Sequence, residues 1–222
     1  AWQIPGFPDF ELRDFDDAKI QAFIGRWFQI QAERKQLDPQ AVPDRRQSLW
    51  QGLQQRHLRP LAGNPVQLTS MAIVDCHHSR LPDSRAKLYD ELIKLLLYRW
   101  DDIRFGNAEG LIRLTVLLQQ AGADDKDLLR VLRRLAWQAH RGQRKAPAGR
   151  QEEAPTADIS ESRLLNALRT LHPDDTVALS WAENVLRTIE ARSGLLTAPQ
   201  AQERVFRFPH RSYQEFLAGT YL

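Results

Sequence analysis

The chain has 222 residues, 42% of them hydrophobic and 27% charged, enough apolar material to build one large domain or two small ones. Its 31 basic residues against 28 acidic leave a net charge of +3, a weak basis for binding a polyanion unless the charge gathers on one face. A single cysteine, Cys76, excludes an intrachain disulfide; with no apolar run long enough for a membrane span and no signal-peptide pattern at the start, a cytoplasmic protein is expected.

Residues 1 to 13 read as extended, because Pro5, Gly6 and Pro8 oppose a helix. Asp16 and Asp17 can then cap a helix whose Ile20, Phe23, Ile24, Trp27 and Phe28 share a stripe. A second amphipathic piece spans about Pro43 to Leu58. In Leu61-Ala62-Gly63-Asn64-Pro65 a glycine can close one helix and a proline open the next, which carries Leu68, Met71, Ala72 and Asp75. After Leu81-Pro82-Asp83 comes the best helical pattern, with Tyr89, Leu92, Ile93, Leu96 and Trp100 at helical spacing and an end at Asp101-Asp102. Further helices are expected at about 108 to 120 and 125 to 140, the latter burying Leu128, Val131, Leu132, Leu135, Ala136 and Ala139.

From Gly142 to Ser160 periodicity gives way to Ala, Pro, Gly and charge, which reads as a mobile loop, 142–160. Helices follow at about 161 to 171 and 176 to 192, with Ala178, Trp181, Ala182, Val185 and Ile189 inward on the second. Gly194-Leu195-Leu196 and Val205-Phe206-Arg207-Phe208 flank a break near Pro199 and signal a hairpin. A last helix starts at His210 with Tyr213, Phe216, Leu217 and Tyr221. It reaches Leu222 without a cap, so the chain is expected to continue. The fold class is therefore mainly α: a helical bundle followed by a winged helix with a small hairpin, over roughly 125 to 209. Winged helices serve DNA readers and protein-only modules alike, so the topology does not choose between them.

Catalytic chemistry is not legible. The phosphate-binding pattern G-x-x-x-x-G-K-[ST] is missing. Met71-Ala72-Ile73-Val74-Asp75 imitates the acidic end of a metal-holding strand, but it follows a proline-opened helix and reads as buried helix. Cys76, His77 and His78 adjoin one another without a second ligand pair, which describes a polar helix end better than a zinc site. Asp101-Asp102 and Asp124-Asp125 sit where carboxylates cap helices. The basic stretch from Lys126 to Arg150 reads as a solvated helix face running into a linker, with a phosphate-binding patch as the alternative. Two short constellations ask for more: the tight turn at Gly63-Asn64-Pro65, and a strand running into a helix whose first turn carries His210, where a phosphate could sit. Taken alone, His210 is an ordinary helix cap.

At these residues the sequence resembles the C-terminal half of a NACHT module, the ATPase core of multidomain signal-transduction NTPases of the STAND class. The matching segments, in order, are WQIPGF…ELRDFDDAKIQAFIGRW (2 to 27), LAGNPVQLTSMA (61 to 72), LPDSRAKLYDELIKLLLYRW (81 to 100) and GLL…RFPHRSYQEFLAGTYL (194 to 222). The resemblance implies that 1–13 is the tail of a nucleotide-binding domain, 14–122 the helical domain, 123–209 the winged helix, and 210–222 the start of a following helical region. It implies that Gly63, Asn64 and Pro65 form the turn whose proline packs on the adenine, and that His210 meets the β-phosphate of ADP. Gln67 departs from the family, which has an apolar residue there. ADP or ATP, with magnesium held by an upstream domain, would be the cofactor. The upstream nucleotide-binding domain would be the partner, with a homo-oligomer on activation. The chain itself would be no enzyme, although the whole protein would be a slow ATPase. The match is similar in style to bacterial members, which are often implicated in defence against phage. Two other classes stay open: a winged-helix nucleic-acid module and a helical scaffold for protein partners.

Overall fold

The structure, a computed structural model, describes residues 14–99, 112–143, 158–198 and 204–221. The chain divides into two compact units, at Leu88 and Tyr89. The expectations for 1–13, for Trp100 to Asp102 and for most of the 142–160 loop lie outside the described residues.

In the first unit, α1 (Asp17–Glu33) starts where Asp16 accepts a hydrogen bond from Lys19 N at 2.8 Å. Its core edge is Ile20, Ile24 and Phe28, one residue per turn and at most 2% exposed. Phe23 and Trp27 flank that edge half-buried and stack on each other, centroids 5.9 Å apart. A 3-10 turn, Pro39–Ala41, leads into α2 (Val42–Leu53), which packs on α1 through Leu49 and Leu53. The sequence pattern carries this helix to Leu58, but it ends at Leu53. Turn hydrogen bonds from Gln54 N to Gln51 O and from Gln55 N to Gly52 O close it there, and Leu58 is buried after the break. The short α3 (Arg59–Ala62) is tied to α1 by an Arg59–Asp17 ion pair. Next comes α4 (Pro65–His78), whose Leu68, Met71, Ala72, Val74 and Asp75 are wholly buried. Met71 to Asp75 is thus helix, as its spacing requires.

Helix α5 (Arg85–Lys94) crosses the division between the units and widens into a π turn, Leu95–Arg99. The wider turn rotates the stripe, so Leu95 and Leu97 are buried while Leu96, expected inward, is half-exposed. In the second unit, α6 (Leu114–Gln120) starts after an extended Arg113 (ψ 139°), while 108 to 111 of the expected helix lie outside the described residues. Helix α7 (Asp125–Gln143) is capped by Asp124, whose carboxylate accepts from Lys126 N at 2.8 Å and Asp127 N at 3.0 Å.

The rest of the second unit alternates short strands with helices. Strand β1 (Ile159–Ser160) precedes α8 (Glu161–Leu168) and a 3-10 turn. Helix α9 (Ala178–Thr188) runs into a second π turn, Ile189–Ser193, stopped by Gly194 in the left-handed region at φ +60°. The backbone of Thr197 and Arg207 exchanges hydrogen bonds at 2.9 and 2.8 Å, which closes the expected hairpin. Strand β2 (Val205–Phe206) pairs antiparallel with β1, Ile159 opposite Phe206. The order helix, strand, helix, helix, strand, strand is that of a winged helix, with β1 as the strand that periodicity missed. Both ends of the expected loop are therefore secondary structure. Ile159, Leu164, Leu168, Trp181, Val185, Leu195, Leu196, Phe206 and Phe208 form its core, and α10 (Arg211–Gly219) packs along α7. Among the described residues, no helix is long and apolar enough to cross a membrane.

Candidate functional site

The two constellations singled out in the sequence fall in different units, and each is built by a helix start. At the first, Gly63 ends α3 and its carbonyl accepts from Phe15 N at 2.7 Å. A Cβ on Gly63 would stand 3.1 Å from Asp14 Cβ and 3.3 Å from its Cγ, so glycine allows this close passage. Asn64 is extended and its Oδ1 accepts from Val66 N at 3.0 Å and Gln67 N at 3.2 Å. Pro65 occupies the first helical position, where its missing N–H costs nothing. The free amides of this helix start are thus partly used by Asn64 and partly absent. What remains outward is apolar: Pro65 is exposed and Val66 is 50% exposed. This edge suits the face of a flat ring better than an anion. Gln67, the polar departure from the resemblance, is buried at 3% exposure.

At the second constellation, Phe208 is buried and the chain bends at Pro209 and His210 into α10. His210 is the N-cap, in an extended conformation, and its Nδ1 accepts from Ser212 N at 3.2 Å. A backbone amide can only donate, so Nδ1 carries no proton, and in the neutral ring the proton sits on Nε2. Burial pushes the pKa of His210 below the ordinary histidine value, against an upward pull from Glu215. The side chain is half-buried, and the Tyr213 ring lies 5.9 Å from it at 53°. His210 is therefore a neutral group at pH 7 with a donor on its far nitrogen.

The other sequence features find ordinary places. Cys76 is exposed, and its Sγ accepts from Trp27 Nε1 at 3.2 Å. Among the described residues no three His, Cys, Asp or Glu side chains gather as metal ligands. On the basic face of α7, Arg130 bonds Asp127 at 2.8 Å, Arg133 lies 3.8 Å from Asp90, and Arg141 covers the Trp137 ring. The α9 surface combines Glu183 and Glu190 with Arg187, beside Arg204 and Glu161, which are paired. Mixed charge of this kind repels phosphate as much as it attracts it.

Sequence reasoning missed one polar pair. Asp75 is 0% exposed, and Arg45 Nη2 from α2 donates to its Oδ2 at 2.8 Å and to its backbone oxygen at 2.6 Å. Burial pushes the Asp75 carboxyl up to about 6 despite the neighbouring guanidinium. An arginine in a polar-looking helix thirty positions upstream gave no signal of this contact.

A family model described as the winged helix-turn-helix domain C-terminal to NACHT matches residues 85–222, opening at the first residue of α5. No curated protein and no solved structure matches the chain.

Proposed function

Since the chain belongs to the family of the winged helix-turn-helix domain C-terminal to NACHT, we propose that it is the regulatory half of a nucleotide-driven switch. In this reading Pro65 and Val66 lie against the base of a nucleotide bound by an upstream domain of the same protein, and His210 donates from Nε2 to the β-phosphate of ADP. The observation that supports the proposal is the contact from Ser212 N to Nδ1, which leaves Nε2 as the donor of the neutral ring. Each helix start has its own chemistry: an exposed apolar edge with its amides already capped in the first unit, and a neutral imidazole in the second. Phosphate loop and magnesium ligands belong to the upstream domain.

ADP holds the closed state through these contacts. Its exchange for ATP releases the winged helix and permits a homo-oligomer to assemble in the cytoplasm, with the whole protein a slow ATPase and this chain no enzyme by itself. Signalling in bacterial defence against phage is the role the resemblance suggests. The mixed charge around α7 and α9 speaks against the nucleic-acid alternative.

The test is ADP binding to the full-length protein by calorimetry. One hydrogen bond between a polarised donor and phosphate is worth roughly 1.5–3 kcal/mol, so His210→Ala should weaken ADP about ten- to a hundredfold and lower the threshold for assembly. Pro65→Ala acts the same way but more mildly, through lost packing. Unchanged ADP affinity and threshold in His210→Ala would reduce this histidine to a helix cap.

A further inference from the structure

His210 does not stand alone on its helix; a column of rings runs from it to another element. The Tyr213 ring lies one turn along α10 and 5.9 Å from the imidazole. Tyr213 N donates to the His210 carbonyl at 3.1 Å, so ring and histidine share one stiff turn. Tyr89, on α5, meets Tyr213 edge-on with centroids 6.2 Å apart at 78°, and lies 5.7 Å from Phe216 on the next turn of α10. Tyr89 is 4% exposed and Tyr213 5%. Edge-to-face rings hold a preferred geometry as well as volume, so moving one displaces its neighbour rather than sliding past it.

Resting on the reading of His210 as the phosphate donor, we infer that Tyr89 is a positioning residue for that histidine, coupling the setting of α5 to the site through Tyr213. Helix α5 suits this role because it spans the division between the units and widens into a π turn, a rare geometry that frequently marks functional sites. A rotation of α5 that withdraws Tyr89 lets Tyr213 swing toward it and uncovers the imidazole. The contact therefore regulates the donor without touching the nucleotide. Charged neighbours are otherwise occupied: Glu215 bonds Arg211 at 2.8 Å on α10, while Asp90 on α5 is bonded by Lys94 at 2.6 Å and approached by Arg133 of α7. Of these groups it is Glu215 that acts on the His210 charge.

The experiment follows the His210 ring by NMR titration of the histidine-labelled chain, with its resonance assigned by His210→Gln. Tyr89→Ala should raise the His210 midpoint toward the ordinary value of about 6.5, because the ring gains water. Tyr89→Phe should leave it in place, and Tyr89→Leu, which fills space without a ring and folds if the alanine variant does not, should shift it part of the way. Leu164→Ala, which loosens the same unit at a buried position of α8 outside the ring column, should leave it in place. A midpoint unmoved by both Tyr89→Ala and Tyr89→Leu overturns the inference, as does an equal shift in Leu164→Ala. A parallel ADP titration of the full-length protein separates the two claims. Severalfold weaker binding in Tyr89→Leu supports both. If the NMR midpoint moves while His210→Ala leaves ADP binding unchanged, the positioning stands and the nucleotide reading falls.

Discussion

The buried pair between α2 and α4 offers the sharpest quantitative test of the first unit. Asp75 is fully enclosed and Arg45 is 15% exposed at its side chain, yet Asp75 Oδ1 and Arg45 Nε find no partner among the described residues. A buried charge stripped of its partner costs about 3–5 kcal/mol, whereas replacing both partners by apolar groups is near neutral or stabilising. Arg45→Met and Asp75→Leu should therefore each destabilise the chain by several kcal/mol, and the double variant by much less than their sum. Urea unfolding followed by tryptophan fluorescence measures this, since Trp27 touches Cys76 beside Asp75. The pH dependence has a definite sign. The folded-state pKa of about 6 lies above the ordinary 3.8, so the folded chain binds the Asp75 proton more tightly than the unfolded chain. Between pH 7.5 and 5 the wild type should gain roughly 1 kcal/mol over Asp75→Asn, which cannot titrate. Single substitutions costing under about 1 kcal/mol, or a wild type that loses ground to Asp75→Asn on acidification, would refute the account.

Asn64→Ala removes an acceptor for two amides and should cost about 1 kcal/mol in urea unfolding, with Asn64→Asp close to wild type. His210 has its pKa depressed by burial, so the stability it contributes is present above the ordinary value of about 6.5 and is lost as pH falls through its folded value; a His210→Gln chain should lack that loss. The isolated chain should neither hydrolyse ATP nor bind it tightly, and micromolar binding with turnover in calorimetry would contradict this. Duplex DNA should bind weakly at physiological salt and be indifferent to Arg133→Ala/Arg134→Ala; sub-micromolar binding lost in that variant would favour the nucleic-acid alternative.

Local chemistry was legible in the sequence wherever one residue decides a backbone event. Asp16 and Asp124 cap helices because their short side chains reach free amides, and Pro65 opens a helix at a position where a ring costs no hydrogen bond. Stripes at helical spacing located α1, α4, α7 and α9 for the same reason. Features that arise between elements were not legible. The π turns depend on packing at the helix end and displace Leu96 from the buried stripe. Strand β1 is two residues long, too short for alternation to show, and exists because Phe206 lies opposite Ile159. The Arg45–Asp75 pair joins residues whose neighbours in sequence say nothing of each other.

A capping role for His210 and a nucleotide-binding role are not rivals, because the ring has two nitrogens with different duties. Nδ1 is spent on Ser212 N, and that contact puts the proton on Nε2. Capping thus prepares the donor. Asn64 does the reverse at its own helix: by taking the amides of Val66 and Gln67 it makes the start of α4 a poor anion site and leaves Pro65 and Val66 as its outward face. One helix start has its amides taken and presents Pro65 and Val66; at the other the capping ring carries its proton on Nε2. The same division explains why substituting either residue with alanine alters two things together, helix stability and the surface offered to a ligand. His210→Gln, with a side chain that can both accept and donate, is the substitution that comes closest to separating them.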